Sequence, residues 1–180
     1  MRSVAFASTN QNKFQEVQSI LSAYGISTDF VQADLLEIQS DSLIEIAKEK
    51  ARNAYEKAAR PVIVEDDGLY INALKGFPGQ YSSHAFKTIG NTGVLRLLEG
   101  SGDRSAYFCS VIAYHGGNVM KTFEARVDGQ ISTGIAKGGW GYDPVFVPAG
   151  AKATFAELPN KNDYSHRRKA LEKFAEWYLR

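Results

Sequence analysis

The fold class is decided by the first stretch of the chain, VAFASTNQNKFQEVQSILSAYG, which covers residues 4–25. Its four opening residues are apolar and predict a short strand, and the polar turn Ser8–Asn12 follows directly. Apolar side chains then recur at helical spacing until Gly25, a typical helix stop. A strand, a polar turn and an amphipathic helix in this order are the usual opening of an α/β protein.

The remainder of the chain continues this alternation and then becomes rich in strands. The further predicted elements are a strand over 27–31, a helix from 41–42 to about 59, a strand over 62–64, a turn-rich segment over 72–83, a helix over 92–98, strands over 106–114 and 119–127 joined by a hairpin turn, a strand over 145–147 and a C-terminal helix. We expect an α/β fold with a mixed sheet body and helices plus a β-rich lobe, and an active-site cleft between them. Residues 1–180 are predicted to form a single domain of these two lobes.

The composition limits the classes of partner. Lysine and arginine number 21 against 20 aspartates and glutamates, so the formal net charge is only +1. A binder of polymeric nucleic acid needs a clear positive surplus, which excludes that class but allows a small anionic ligand. No apolar run reaches the ~20 residues of a membrane span, and the chain starts without a secretory signal, so we expect a cytoplasmic protein. The single cysteine, Cys109, lies in an apolar run and is interpreted as a buried strand residue.

The polar turn Ser8-Thr9-Asn10-Gln11-Asn12-Lys13 is the first candidate site. Backbone N–H groups at a helix N-terminus carry partial positive charge and suit a phosphate group, to which Lys13 adds a full charge. The same residue types are typical of an ordinary helix cap without any ligand. The turn lacks the glycines of a Walker motif.

Three carboxylates follow an apolar strand in Glu65-Asp66-Asp67-Gly68. Because side chains alternate along a strand, at most two of the three share a side. Clustered carboxylates repel one another unless a cation neutralises them, and Mg²⁺ prefers such oxygen ligands. The alternative is a solvated acidic turn.

Two later segments could bind the rest of a nucleotide. In Gly138–Pro144, glycines allow close backbone approach, and Trp140 or Tyr142 offers a flat face to a base, although both could equally be core residues. The segment 161–169 concentrates lysine, serine, histidine and arginine at the start of the last helix. It suits an anion or a carbonyl-bearing base, and its alternative interpretation is a basic, solvated helix start.

These segments, in this order, resemble the inosine triphosphate pyrophosphatase family, also called Ham1-like. The matching motifs are Ser8-Thr9-Asn10-Gln11-Asn12-Lys13, Val64-Glu65-Asp66-Asp67-Gly68-Leu69, Gly76-Phe77-Pro78-Gly79-Gln80-Tyr81-Ser82-Ser83, Gly139-Trp140-Gly141-Tyr142-Asp143-Pro144, and Lys161-Asn162 followed by Ser165-His166-Arg167. Each motif is moderately specific, and the resemblance spans nearly the whole chain. Trp140 replaces the usual phenylalanine, and Asp67 stands where serine or threonine is common.

The resemblance implies a role for each matching residue. Glu37 falls on a metal-binding glutamate, and Asp66 falls on the metal-binding and catalytic aspartate. Lys13 and Lys50 fall on phosphate-binding lysines. The other positions implied to bind substrate are Ser8, Thr9, Asn10, Asp67, Ser83, Trp140, Gly141, Tyr142, Asp143, Lys161, Ser165, His166 and Arg167.

The expected activity is hydrolysis of non-canonical purine nucleoside triphosphates (ITP, dITP, XTP) to the monophosphate and pyrophosphate, which cleanses the nucleotide pool. The resemblance implies Mg²⁺ as cofactor, with Mn²⁺ as a substitute, and a homodimer. Two alternatives are a pyrophosphatase for modified pyrimidine triphosphates and a non-catalytic nucleotide sensor. Ser165-His166-Arg167 favours purines over the first. The carboxylate cluster argues against the second, because a pure binder has less need for negative charge beside phosphates.

Overall fold

The structure is a computed structural model, and it describes residues 2–180. The strands are β1 (Arg2–Ser8), β2 (Ile26–Gln32), β3 (Val62–Ile71), β4 (Pro78–Gly79), β5 (Ser105–His115), β6 (Met120–Ile131) and β7 (Phe146–Pro148). The α-helices are α1 (Gln11–Ser22), α2 (Leu43–Ala58), α3 (Ser82–Thr88), α4 (Gly90–Leu97) and α5 (His166–Leu179), and two short 3-10 helices cover Asn72–Leu74 and Lys161–Asp163. Across residues 2–180, no helix is both long and apolar enough to span a membrane.

The strands form one mixed sheet in the order β2-β1-β3-β5-β6-β7, with β4 beside β3. β1 runs parallel to β2 along its whole length and parallel to β3 at Ala5↔Val62 and Phe6↔Ile63. β4 pairs antiparallel with β3, and β7 pairs antiparallel with β6. The predicted mixed α/β class is therefore confirmed, whereas the cleft and the single two-lobed domain stay predictions.

The described chain divides into two compact units. The first unit comprises residues 2–66, 110–125 and 167–180. Its core packs α1 and α5 with strand residues, and Phe6, Leu21, Ile63 and Phe174 are completely buried in it. The second unit comprises residues 67–109 and 126–166, and its core includes the aromatic residues Phe108, Phe146 and Phe155. Burial of these apolar side chains contributes to the stability of each unit.

Side-chain caps explain where helices α1 and α2 begin. The Asn10 side chain accepts hydrogen bonds from the backbone N–H groups of Asn12 and Lys13, at the start of α1. The Ser42 side chain accepts from the N–H of Glu45 at the start of α2. Each cap satisfies N–H donors that a helix leaves unpaired in its first turn.

β3 is longer than the predicted strand, because tertiary pairing extends it through the acidic cluster. The acidic residues therefore lie within β3 rather than after it. The pairing Leu69↔Gly79 requires a glycine at position 68, where a Cβ would lie 2.5 Å from the Gly79 carbonyl oxygen. Helix α3 is a second difference, since its first residues lie in the segment predicted to be turn-rich.

Candidate active site

The turn after β1 is ordered by its own side chains. Ser8 Oγ accepts a hydrogen bond from the N–H of Asn10 at 3.0 Å. Asn10 Oδ1 accepts from the N–H groups of Asn12 and Lys13 at 3.0 and 3.2 Å. Thr9 is exposed at the tip of the turn. Asn10 is thus a helix cap, as the simpler interpretation predicted, and phosphate binding by this turn stays a prediction.

Glu37 and Asp66, which the resemblance singles out as metal ligands, converge on one side chain. Lys50 Nζ, from α2, lies 2.6 Å from Glu37 Oε1 and 3.0 Å from Asp66 Oδ2. Lys50 and Asp66 are mostly buried, while the Glu37 side chain is 67% exposed. Two carboxylates that contact the same ammonium group lie close enough to face one cation. Their oxygen atoms are the donor type that Mg²⁺ prefers, so this pair fits a small divalent ion.

Glu37 lies on a segment without regular structure that α2 holds from three places. Besides the Lys50 contact, Asn53 Oδ1 accepts a hydrogen bond from the N–H of Leu36 at 3.2 Å, and Lys57 Nζ donates to the Asp34 carbonyl oxygen. These three residues of α2 follow at spacings of three and four, so they share one helix face. Asn53 and Lys57 were not among the predicted site residues, although their spacing from Lys50 can be read from the sequence.

Glu65 is bound to basic groups instead of facing the position that Lys50 occupies. Its fully buried carboxylate accepts hydrogen bonds from Arg167 Nε at 2.8 Å and Ser110 Oγ at 2.7 Å. Lys13 Nζ lies 3.5 Å from the same carboxylate. Because Glu65 and Asp66 are neighbours in a strand, their side chains point to opposite faces and meet different cations. Glu65 therefore compensates positive charge within the first unit.

The guanidinium of Arg167, predicted to bind substrate, is buried among carboxylates. Only 1% of its side chain is exposed, and it pairs with Glu16 as well as with Glu65. Burying a charged group is costly without such partners, so these two contacts explain how the arginine is accommodated. Glu16 was not among the predicted site residues, although it lies one helical turn after Lys13 on α1. Substrate binding by Arg167 stays a prediction.

In the second unit, a lysine and an aspartate are paired beside the glycine-rich loop. Lys161 Nζ lies 2.8 Å from Asp143 Oδ2 and 4.9 Å from the centroid of the Trp140 ring. Asp143 Oδ2 also accepts a hydrogen bond from the Trp140 N–H at 3.4 Å. The aspartate thus fixes the loop backbone and the lysine at once, and the cation lies within interaction distance of the indole ring.

The two aromatic residues of this loop differ in burial. Tyr142 is 6% exposed, and its hydroxyl donates to the Ser82 carbonyl oxygen at 2.9 Å. Burial raises the pKa of this hydroxyl far above its usual value, so it stays protonated. Trp140 is only half-buried. The geometry therefore favours Trp140 over Tyr142 as a stacking face for a base.

The remaining predicted residues differ in how deeply they are buried. His166 is 3% exposed, its Nε2 lies 3.6 Å from Asp67 Oδ2, and its ring stacks on Phe108 at 4.5 Å between centroids. Ser165 is buried beside it in the chain, whereas Ser83 is exposed in the first turn of α3. The histidine is thus held in one orientation by an aromatic face and a carboxylate.

Similar proteins are known over almost the full length of the chain. Residues 4–177 match the Ham1 family. A dITP/XTP pyrophosphatase of Methanopyrus kandleri is 50% identical over 179 residues, which cover 97% of this chain and 95% of that protein. A dITP/XTP pyrophosphatase of Saccharolobus solfataricus is 45% identical over 177 residues, with 97% and 92% covered.

Solved structures agree with these relatives. The Staphylococcus aureus Ham1 protein superposes with a TM-score of 0.84 at 29% identity, covering 99% of this chain and 98% of that one. A Ham1 protein from Coxiella burnetii has a TM-score of 0.84 at 32% identity, with 99% of both chains covered. The resemblance inferred from the motifs is confirmed: this chain belongs to the Ham1 family.

Proposed function

We propose that this protein hydrolyses non-canonical purine nucleoside triphosphates, namely dITP, ITP and XTP, to the monophosphate and pyrophosphate. The observation that carries the proposal is the position of Lys50 between the carboxylates of Glu37 and Asp66. It occurs in a chain that is 50% identical to a protein named dITP/XTP pyrophosphatase. The protein would thereby remove damaged purine nucleotides from the nucleotide pool.

Charge compensation explains the two lysines. A triphosphate carries about four negative charges near neutral pH, because its terminal group is largely ionised. Lys50 and Lys13 each contact a carboxylate of the first unit, which keeps their ammonium groups in place before a nucleotide arrives. The backbone N–H groups at the start of α1 add partial positive charge. These groups would hold the triphosphate tail.

A divalent ion is part of the proposal. Glu37 and Asp66 would hold Mg²⁺, with Mn²⁺ as a substitute, because both carboxylates already face one cationic group. When bound, the ion would supply positive charge to the phosphate oxygens and lower the pKa of a bound water. Glu65 is not part of this set, since its carboxylate contacts Arg167, Lys13 and Ser110.

Asp66 is the residue that we propose to orient the attacking water. A water oxygen would attack the α-phosphorus, the bond from that phosphorus to the bridging oxygen would break, and pyrophosphate would leave. Positioning of this kind supplies much of the catalysis in phosphoryl transfer. Asp66 suits the role because its carboxylate is held by Lys50, so its orientation is fixed in advance.

Base selectivity would arise at the 6-position of the purine. Hypoxanthine and xanthine present a carbonyl acceptor there, whereas adenine presents an amine donor. Lys161 Nζ is a donor near the Trp140 ring, so a base stacked on that ring would find a partner for its carbonyl. Adenine would leave two donors facing each other, and such mismatches cost a few kcal/mol.

The proposal also covers the assembly and the location of the protein. We propose a homodimer, as the resemblance implies, and a cytoplasmic protein, because pool-cleansing activity is needed where nucleotides are polymerised. Sedimentation velocity tests the assembly, since a monomer has a mass of 19.8 kDa. The relatives lend no support to an enzyme for pyrimidine triphosphates or to a non-catalytic sensor.

The deciding experiment measures pyrophosphate release from dITP, ITP, XTP, ATP, GTP and dUTP, with Mg²⁺ and after its removal by EDTA. We expect fast release from the first three nucleotides, slow release from the others, and none with EDTA. Release from dUTP alone would support a pyrimidine enzyme. Binding of dITP without release from any nucleotide would support a sensor.

A further inference from the structure

The glycine-rich loop is fastened to helix α4 by one side chain that the motifs did not include. Asn91 Nδ2 donates a hydrogen bond to the Gly141 carbonyl oxygen at 3.0 Å. Within residues 2–180, the Asn91 amide oxygen is buried and accepts no hydrogen bond. The side chain therefore makes its hydrogen bond through the amide nitrogen, and the acceptor lies on the loop.

The bonded carbonyl lies between the two aromatic residues of the loop. Gly141 has a φ of +59°, in the left-handed region that glycine adopts without strain, so the backbone at this position has little intrinsic preference. A hydrogen bond to its carbonyl removes part of that freedom. The Gly141 carbonyl belongs to the peptide plane that joins Gly141 to Tyr142, so the hydrogen bond restrains the residue that directly follows Trp140. Restraining Gly141 against α4 limits the positions that the Trp140 backbone, and with it the indole ring, can take.

Helix α3 holds the next residue of the loop. The Tyr142 hydroxyl donates to the Ser82 carbonyl oxygen at 2.9 Å, and its ring meets the Phe86 ring edge-on at 5.3 Å between centroids. Ser82 is itself fixed, because its hydroxyl donates to the Gly79 carbonyl and accepts from the Leu69 N–H. Tyr142 is thus anchored by α3, and Asp143 accepts from the Trp140 N–H, so Asn91 adds a restraint at the residue between Trp140 and Tyr142.

We propose that Asn91 is a positioning residue that sets the orientation of the Trp140 ring, and through it the selectivity for the purine base. The inference rests on the proposed function, because it assigns Trp140 the role of stacking face. Asn91 does not contact the reacting phosphates in this scheme. Its loss should therefore weaken base recognition while the chemical step continues.

The first test compares Asn91→Ala and Asn91→Asp with the control Thr92→Ala, an exposed neighbour on α4. Loss of one hydrogen bond predicts a three- to tenfold rise in KM for dITP, with kcat within about twofold of wild type. The ratio of kcat/KM for dITP over dATP should fall. Asn91→Asp has nearly the same shape but places an acceptor against a carbonyl, so it should be at least as impaired as Asn91→Ala. A residue that only fills space would leave Asn91→Asp close to wild type.

The second test measures the mobility and the solvent exposure of Trp140 by fluorescence and does not require enzymatic activity. The chain has two tryptophans, Trp140 and Trp177, so Trp177→Phe leaves Trp140 as the only indole reporter. In that background, Asn91→Ala should lower the fluorescence anisotropy of Trp140 and increase its quenching by acrylamide, and Thr92→Ala should change neither. If Trp177→Phe fails to fold, the same comparison is made in the chain that keeps both tryptophans.

Unchanged KM, selectivity and Trp140 fluorescence in a folded Asn91→Ala protein would overturn the inference. A wild-type protein without dITP hydrolysis would instead overturn the proposed function, while the fluorescence result would still report whether Asn91 holds the loop. A lowered melting temperature with unaltered KM and anisotropy would reduce Asn91 to a structural residue.

Discussion

Lys50 Nζ lies 3.0 Å from Asp66 Oδ2, which means that the ammonium group of a lysine neutralises the carboxylate proposed to hold a metal ion. The same nitrogen also contacts Glu37. In the protein without nucleotide, the lysine and a divalent cation would therefore compete for the same two carboxylates. With a triphosphate present, the ammonium has phosphate oxygens as alternative partners.

This competition predicts opposite effects of Lys50→Met on ion binding and on catalysis. Removal of a neighbouring positive charge should tighten Mn²⁺ binding to the nucleotide-free protein by about fivefold, because the two carboxylates are left to repel each other. Hydrolysis of dITP should fall, because the triphosphate loses a cation. Titration calorimetry with Mn²⁺ measures the first effect. Lys48→Met, on the same helix but paired with Glu45, is the matched control; weaker Mn²⁺ binding by Lys50→Met would contradict the competition.

Asp66→Asn tests the proposed catalytic residue. The amide keeps the size of the side chain but loses the negative charge, so kcat/KM for dITP should fall by about 10²- to 10⁴-fold. Circular dichroism should show an intact fold. Asp29→Asn, an exposed aspartate of β2 that pairs with Arg60, should retain full activity. Near-normal turnover by Asp66→Asn would remove Asp66 from the mechanism.

Arg167 and Glu65 form a buried ion pair, so their contributions to the free energy of unfolding should be coupled. Their side chains are 1% and 0% exposed, so removing one partner leaves a buried charge poorly compensated. We expect Arg167→Met to lower the free energy of unfolding by about 3 kcal/mol. The double variant with Glu65→Gln should lose clearly less than the sum of the two single losses. Urea unfolding of all four proteins measures this coupling, and strictly additive losses would show that the pair is not coupled.

Features set by neighbouring residues could be predicted from the sequence, and features set by tertiary pairing could not. A cap at the start of α1 could be expected from the polar turn Ser8–Asn12, because a cap acts on N–H groups two or three residues away. The length of β3 was predicted wrongly, because the strand pairs with β4 and β5, and its own residues do not signal these partners.

The candidate site shows the same division. The contact of Lys50 with Glu37 had no local signal, and the family resemblance implied only a metal-binding role for Glu37 and a phosphate-binding role for Lys50. The pair of Glu16 and Arg167 joins residues that are 151 positions apart, a separation at which no periodic pattern carries information. Asn91 was missed for the same reason, because it lies 50 positions from Gly141.

Tyr142 predicts how stability changes at alkaline pH. Burial raises the pKa of its hydroxyl far above the usual value of about 10, and the protonated form donates to the Ser82 carbonyl. In the unfolded chain this tyrosine ionises at about pH 10. A group whose pKa is raised by folding contributes stability that is complete below the unfolded pKa and is lost as the pH rises above it.

Wild-type protein should therefore lose stability more steeply than Tyr142→Phe between about pH 9 and 11. At neutral pH the variant should be less stable by about 1 kcal/mol, because a hydrogen bond is missing. The two stability curves should consequently converge as the pH rises. Urea unfolding at a series of pH values measures both curves, with Tyr81→Phe, an exposed tyrosine, as the control. The other tyrosines are present in both proteins, so the difference between the two stability curves depends only on Tyr142. Parallel curves would mean that folding does not raise the pKa of the Tyr142 hydroxyl.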